Sequence, residues 1–424
     1  MGTTMRNAAA AALLVLAGGA TGACGGASSR ATTTVTDSAG VQVVTNPPGS
    51  IEAAQAWRLA ADAAVEIGAG ASPDAPLYRI AAVVPLPGGR VAIGTQVPPH
   101  VLVFASDGTL AATLGRQGDG PGEFHGVASV VPIGADSLAV WDDRRRRMSV
   151  FTTDGSFQRE VGLSALAPLT PIAATRMEGL LAWTHLLPSA QGSLVLFAVG
   201  VLGDPGPGVI RVAAPSHRIT AGGDVLAAFG PFPGEELYSL GGSDVFPYIF
   251  GATTHAAASN GALVVGTADA PELRAYGPDG TLQRIIRWPD HDRTVGGPLL
   301  AQWSEAEADW ITSMSAELRP LIRELLERMP RPERFPAYDG IIAGEDGRVW
   351  VGEYAGQLEI VYPPLKLRAS ERRWLIFDAD GALTASVRTP EGFEPHAVRD
   401  GLVWGVYRDT LDIESVRAYE LVRL

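Results

Sequence analysis

The sequence predicts an all-β fold, a six-bladed β-propeller with a short helical insertion and a ring closed by an N-terminal strand. Three observations lead there. One unit recurs along the chain: an apolar strand, a polar turn, a second strand, then Asp-Gly and a further strand. It runs from Arg90 through Asp107-Gly108 to Gly115, from Ser137 through Asp154-Gly155 to Gly162, from Ala262 through Asp279-Gly280 to Ile286, and from Arg348 through Asp380-Gly381 to Arg388. A unit this small makes an antiparallel sheet but cannot bury its own faces, so copies must stack in a ring or a solenoid. Strands such as Val101–Phe104 are continuous apolar runs, as expected of sheets covered on both sides by neighbours. Finally, Gly 50 and Pro 31 are high beside 46 % hydrophobic residues, which fits many short strands joined by tight turns around an ample core. In each unit Asp-Gly supplies the positive φ angle of a tight hairpin.

Taken in order, the chain begins with an address. Arg6, an apolar stretch from Ala8 to Ala20 and the small residues Thr21-Gly22-Ala23 before Cys24 read as a signal peptide over residues 1–23. The stretch is shorter than the roughly 20 residues a membrane-crossing helix needs. Small residues directly before Cys24, the one cysteine of the chain, resemble a bacterial lipobox, which implies lipidation of Cys24, although Thr21 stands where that pattern prefers Leu. A lone cysteine excludes an internal disulfide, so packing and ring closure must stabilise the fold. Residues 24–38 read as a flexible tether and 39–424 as the propeller.

The first two Asp-Gly turns set the length of one blade. The interval from Asp154 to Asp279 then holds two blades, one of them degenerate near Pro171 to Phe229 with strands at Leu180–Trp183 and Ser193–Phe197. The interval from Asp279 to Asp380 holds one blade and an insert. After it, Ala397-Val398, Leu402–Val406 and Val416–Leu421 give three strands and the chain stops. Val41–Val44, or the segment from Trp57 to Ile67, supplies the fourth strand and closes the ring.

At Thr113 to Phe124, followed by Ser137–Asp142, Met148–Phe151 and Asp154–Phe157, the chain resembles an NHL-type repeat of bacterial six-bladed β-propeller lipoproteins. The resemblance is good over about 80–165, recognisable over 255–290 and 338–424, and poor between. It implies export to the periplasm or cell envelope on a lipid anchor. Relatives by fold include lyases and lactonases that hold a metal in the central channel, and propellers that only bind, so fold does not choose among activities.

Three features carry candidate chemistry. The glycine-rich stretch Gly115 to Gly122 leads into a strand and lacks the Lys and Ser/Thr of a phosphate cradle, so it reads as a crossover between blades. Arg144, Arg145, Arg146 and Arg147 follow Asp142-Asp143 in a hairpin and read either as a solvated turn or as an anion- or partner-docking site. His125, His255 and His396 each fall near the start of an innermost strand, in the second, fourth and sixth blades. Three imidazoles on one channel would suit a divalent metal with an open position for water; the alternative is three separate packed or surface histidines. No catalytic residue is assigned by motif.

The insert, residues 297–330, is helical. Ser304 to Glu307 reads as a capping box, Trp310, Ile311, Met314 and Leu318 share a helix face, and Pro320 breaks the helix before a second one. It is expected to pack on the rim or cap one face of the ring. A formal charge of -13 argues against a nucleic-acid partner and against a membrane contact other than the lipid anchor. The expectation is an exported, lipid-anchored monomer that binds a protein or small-molecule ligand without a cofactor. The alternative is a metal-dependent hydrolase or lyase, lactonase-like or lyase-like, working in the channel.

Overall fold

In a computed structural model, the residues described are 32–68, 77–162, 184–188, 193–198, 206–241, 244–259, 262–355 and 371–424. The segment read as a signal peptide, Cys24 and the strand expected at Leu180–Trp183 lie outside them. The N-terminal segment forms β1 (Thr34–Ser38), β2 (Val41–Thr45), the short helix α1 (Ser50–Ala53), β3 (Gln55–Leu59) and β4 (Val65–Ile67). Antiparallel meanders follow. The first is β5 (Ile80–Pro85), β6 (Val91–Gln96), β7 (Pro99–Phe104) and β8 (Leu110–Leu114); the second is β9 (Ser129–Pro132), β10 (Ser137–Asp142), β11 (Arg147–Thr152) and β12 (Phe157–Gly162). The third joins β13 (Thr184–Pro188), β14 (Leu194–Ala198), the long strands β15 (Pro207–Ile219) and β16 (Val225–Gly241), and β17 (Asp244–Pro247). The fourth is β18 (His255–Ser259), β19 (Ala262–Gly266), β20 (Glu272–Tyr276) and β21 (Leu282–Arg287). Helices α2 (Gly297–Ser313) and α3 (Leu318–Arg328) intervene before β22 (Tyr338–Ala343), β23 (Val349–Glu353), β24 (Arg372–Phe377) and β25 (Leu383–Thr389). The last meander is β26 (Phe393–Arg399), β27 (Leu402–Arg408) and β28 (Glu414–Arg423).

The first strand of each meander lies against the first strand of the next, and β26 returns to β5, so the inner strands close a cycle around a channel. This is a β-propeller. Each pair of adjacent sheets buries its own apolar cluster. Val83, Ile93 and Phe104 meet Trp404 and Val406 between first and last, for example, and Trp141 and Met148 meet Leu194 and Ile219 between second and third. Continuous apolar strands are needed for this, because each sheet must present side chains to two neighbours at once. The Asp-Gly turns behave as read: Gly108, Gly155, Gly280 and Gly381 have φ between 80° and 102°. Asp107, Asp154 and Asp279 accept hydrogen bonds from the backbone two residues on, and in the fourth copy Asp378 takes that part for Asp380 and Ala382.

Ring closure departs from one of the two alternatives. β4 pairs with β28 at Val65 to Ile67 and completes the last sheet, whereas Val41–Val44 pairs in parallel with the outer strand β21. β3 pairs in parallel with β25 and also meets the end of β28. The N-terminal segment thus adds an outer strand to three successive sheets. Residues 34–38, assigned to the tether from composition, are β1, hydrogen-bonded to β2; Thr and Val suit an extended edge as well as a linker. Asn46, buried to 2 % exposure, fastens this belt: Nδ2 donates to the carbonyls of Arg287 and Gly381, and Oδ1 accepts from the Leu383 N–H.

The helical insert also begins earlier than its capping signal. α2 starts at Gly297, so Ser304 is a mid-helix residue whose Oγ donates back to the Leu300 carbonyl. Pro320 lies in the first turn of α3, where no N–H partner is required. No helix among the described residues is long and apolar enough to cross a membrane.

Candidate functional site at the leading end of the channel

The inner strands all begin at one end of the channel, here the leading end. Three of them open with a bulge, between Ile80 and Ala82, Tyr338 and Gly340, and Pro395 and Ala397. Each bulge leaves one residue out of the ladder and re-aims it; two of these are Asp339 and His396. Further along, half-buried inner positions include the small or apolar Val84, Ala256, Ala258, Ile341 and Val398, with Arg399 at the far end of β26. At the mouth the charges form one linked group.

Arg372, at the start of β24, organises it. Its side chain is 3 % exposed. Nη2 is paired with Asp339, Nη1 donates to Glu394 Oε1 at 2.8 Å, and Nε donates to the Glu353 carbonyl at 3.1 Å. The guanidinium lies 4.3 Å from the Trp374 ring centroid. Gly340 and Gly352 make room for it, since a Cβ on Gly352 would fall onto the guanidinium. Burial draws Arg372 below its ordinary range while Glu394 holds it up. One arginine between two carboxylates joins the fifth sheet to the sixth and leaves the group net anionic. Asp339 is held in place from its other side by the Ala355 N–H, at 2.9 Å.

His255 begins β18 and packs on Tyr338, ring centroids 5.9 Å apart. Its Nε2 is buried with no hydrogen-bond partner among the described residues. Burial first, then the charges of Arg372 and Arg211, push the imidazole down to about 3. Arg211, on β15, grips Asp269 through both carboxylate oxygens at 2.6 and 2.7 Å and donates to the carbonyls of Gly234 and Thr267. Tyr338 Oη accepts from the Ala268 N–H and donates to the Glu272 carbonyl. His396 is also lowered, by burial against the pull of Glu394. Glu235 on β16 is the opposite case: burial alone raises it to about 7.

The two irregular segments of the sequence converge beside this mouth. Residues of 238–250 and 295–335 share one apolar core, in which Phe250 meets Trp303 and Phe335 edge-on and Ile311, Met314, Ile322 and Leu325 are buried. The insert therefore packs on the extension of the third sheet. Both segments lead directly into inner strands, at His255 and Tyr338. Arg293 ties the lobe down, donating to the carbonyls of Phe335 and Asp269, and Phe335 stacks on Tyr354 at 5.6 Å.

The three histidines are not gathered. His125 lies in the crossover before β9, its Nε2 3.1 Å from Asp119 and its N–H on Asp142, His255 packs on Tyr338, and His396 is a bulge residue. Among the described residues no three His, Cys, Asp or Glu side chains form a metal-holding group, so the donor set for a divalent ion in the channel is not assembled there. The arginine run divides in two. Arg147 is buried against Glu160 at 2.6 Å and donates to the carbonyls of Gly120 and Glu123; Arg145 donates to that of Gly118. These two staple the Gly115–Gly122 crossover, while Arg144 and Arg146 are exposed. Arg372 and Arg211 carried no signal in the sequence.

No family model matches the chain, and no curated protein matches it. Similar solved structures include a member of the DUF4221 family from Bacteroides vulgatus, 10 % identical over 87 % of this chain and 99 % of that one, TM-score 0.49. Virginiamycin B lyase from Staphylococcus aureus is 12 % identical over 83 % and 82 %, TM-score 0.38. The calcium-binding protein regucalcin from Agrobacterium tumefaciens is 9 % identical over 88 % and 97 %, TM-score 0.41. Identities of this size say nothing of a shared activity.

Proposed function

We propose that the chain is an exported, lipid-anchored, six-bladed β-propeller that binds a ligand at the leading end of its channel. The count of six rests on the cycle of inner strands and the apolar cluster between each adjacent pair of sheets. Export and the anchor rest on the signal-like N-terminus and Cys24. The observation that carries the binding site is the convergence of both irregular segments beside His255, Asp339 and Arg372. Connections are where a regular scaffold tolerates added residues, and where binding groups are commonly placed. The mouth offers a neutral imidazole and fixed ion pairs, groups suited to recognising a polar ligand.

The test is native mass spectrometry with elemental analysis of the mature chain purified from an envelope fraction. The reading expects a retained small molecule that is absent from His255→Trp, whose larger ring fills the mouth. A stoichiometric divalent ion in its place would overturn binding in favour of the metal-dependent hydrolase or lyase.

A further inference from the structure

Four of the large apolar side chains left exposed belong to one place at the leading end, at the seam between the first and last sheets. They are Tyr78 at 56 %, Val97 at 45 %, Leu411 at 78 % and Ile413 at 49 % exposure. Two hydrogen bonds bring their segments together: the Ile80 N–H donates to Glu414 Oε2 at 2.8 Å, and the Gln96 N–H to the Arg79 carbonyl at 3.0 Å. The tip carrying Leu411 is preset. Asp409 Oδ1 accepts from the N–H groups of Leu411 and Ile413 at 2.8 and 2.9 Å, and backbone bonds link Asp409 with Asp412 and Ile413.

Single exposed apolar residues are ordinary, but contiguous ones on pre-ordered loops have the form of an interface anchor. Two charges flank them. Arg79 and Asp412 are both exposed, and neither makes an ion pair among the described residues. Both also hold left-handed backbone, φ 54° and 63°, which is uncommon for arginine and concentrates at functional positions. An apolar centre with one free cation and one free anion beside it is complementary to itself.

We propose that this seam is a self-association surface for a second copy of the chain. A two-fold pairing places Leu411 of each copy against the Tyr78 and Val97 of the other, with Arg79 facing Asp412 twice. The patch is small against the roughly 800 Å² per partner of a stable complex, and two chains of charge -13 repel, so the dimer is weak.

Sedimentation velocity of the mature chain, Cys24 to Leu424 prepared without lipid, tests this across a concentration series reaching about 100 µM, where an association worth about 5–6 kcal/mol populates dimers. Wild type should dimerise with concentration. Leu411→Glu, Arg79→Glu and Asp412→Arg should each weaken association at least about tenfold, with unchanged circular dichroism. The pair Arg79→Glu with Asp412→Arg should restore it, because the charges are exchanged rather than lost. A wild type monomeric throughout overturns the proposal, as does a reversed pair no better than the single variants. So does flotation of a monomeric chain with phosphatidylcholine vesicles that Leu411→Glu abolishes, which would make the seam a lipid contact instead.

Discussion

Replacing Arg372 with methionine is expected to cost about 3–5 kcal/mol of stability, the penalty of removing one partner from a buried ion pair. The structure sets that scale. Asp339 is 14 % and Glu394 24 % exposed, so without the guanidinium two poorly solvated carboxylates share one space with no counter-charge. The Glu353 carbonyl loses its donor as well, and Trp374 loses the cation on its face. Methionine keeps the apolar stem, so cavity formation contributes little and charge dominates. Adding Asp339→Asn and Glu394→Gln should therefore recover more than half of the loss. Arg372→Lys should fall between, since an ammonium cannot span three acceptors. Urea unfolding followed by tryptophan fluorescence reads the total, with Trp374 and Trp350 buried nearby. Hydrogen exchange at the Ala355 N–H, bonded to Asp339, reads the site itself. A loss under about 1 kcal/mol for Arg372→Met, or no recovery in the neutralised triple variant, would refute the claim that this arginine holds the fifth and sixth sheets together electrostatically.

Four further outcomes follow from the same geometry. His255 stays neutral down to about pH 3 when folded, while an unfolded imidazole gains a proton below about 6.5. The unfolded chain thus binds more protons in that window, and stability falls as pH drops through it. His255→Gln should flatten that limb by up to about 5 kcal/mol in denaturation profiles, and an unchanged profile would show that His255 is not buried. Glu235 has the reverse sign: its raised value of about 7 means the folded chain binds more protons between about 4.5 and 7, so stability declines as pH rises through that window. Glu235→Gln should add up to about 3 kcal/mol at pH 8 and nothing at pH 4; equal effects at both would count against a desolvated carboxyl. Asn46→Ala leaves the Leu383 N–H and Gly381 carbonyl without their partner and should cost about 2–4 kcal/mol, seen as a lower Tm, whereas Asp37→Ala, which loses only an exposed bond to Gly40, should stay within about 0.5 kcal/mol. Mass spectrometry of the mature N-terminus should find a lipid on Cys24; an unmodified Cys24 or cleavage elsewhere would remove the anchor from the proposal.

The repeat was legible because hairpins are local. Asp107-Gly108 and its equivalents fix a turn with residues two apart, and apolar runs such as Val101–Phe104 announce sheets buried on both sides. Alternation and turn chemistry say nothing about which outer edge a parallel strand will join, which is why Val41–Val44 was a candidate for closing the last sheet and instead extends the fourth. The capping signal at Ser304 failed for a related reason. Ser-x-x-Glu marks a helix start only when no helix already runs through it, and tertiary burial of Trp303 in the lobe core carries α2 back to Gly297.

The mouth was not legible, because its contacts are products of closure. Arg372 reaches residues 33 and 22 positions away and Arg211 reaches one 58 positions away, and no local pattern encodes those separations. What the sequence did show was where the repeat fails, near 166–250 and 297–330, and the fold explains why two such distant failures act in one place. One failure is a hairpin of the third sheet, in which β15 and β16 run on well past their pairing with β14, and the other is a connection from an outer strand to the next inner strand, from β21 to β22. Connections of that kind all end at the leading end. The extended hairpin leads through β17 to β18 and the long connection leads to β22, and β18 and β22 are neighbours in the cycle, so their added residues share one core. His255 and Tyr338, the first residues after each, became the floor beside it. The lobe they form at that end is one that the repeat itself did not require.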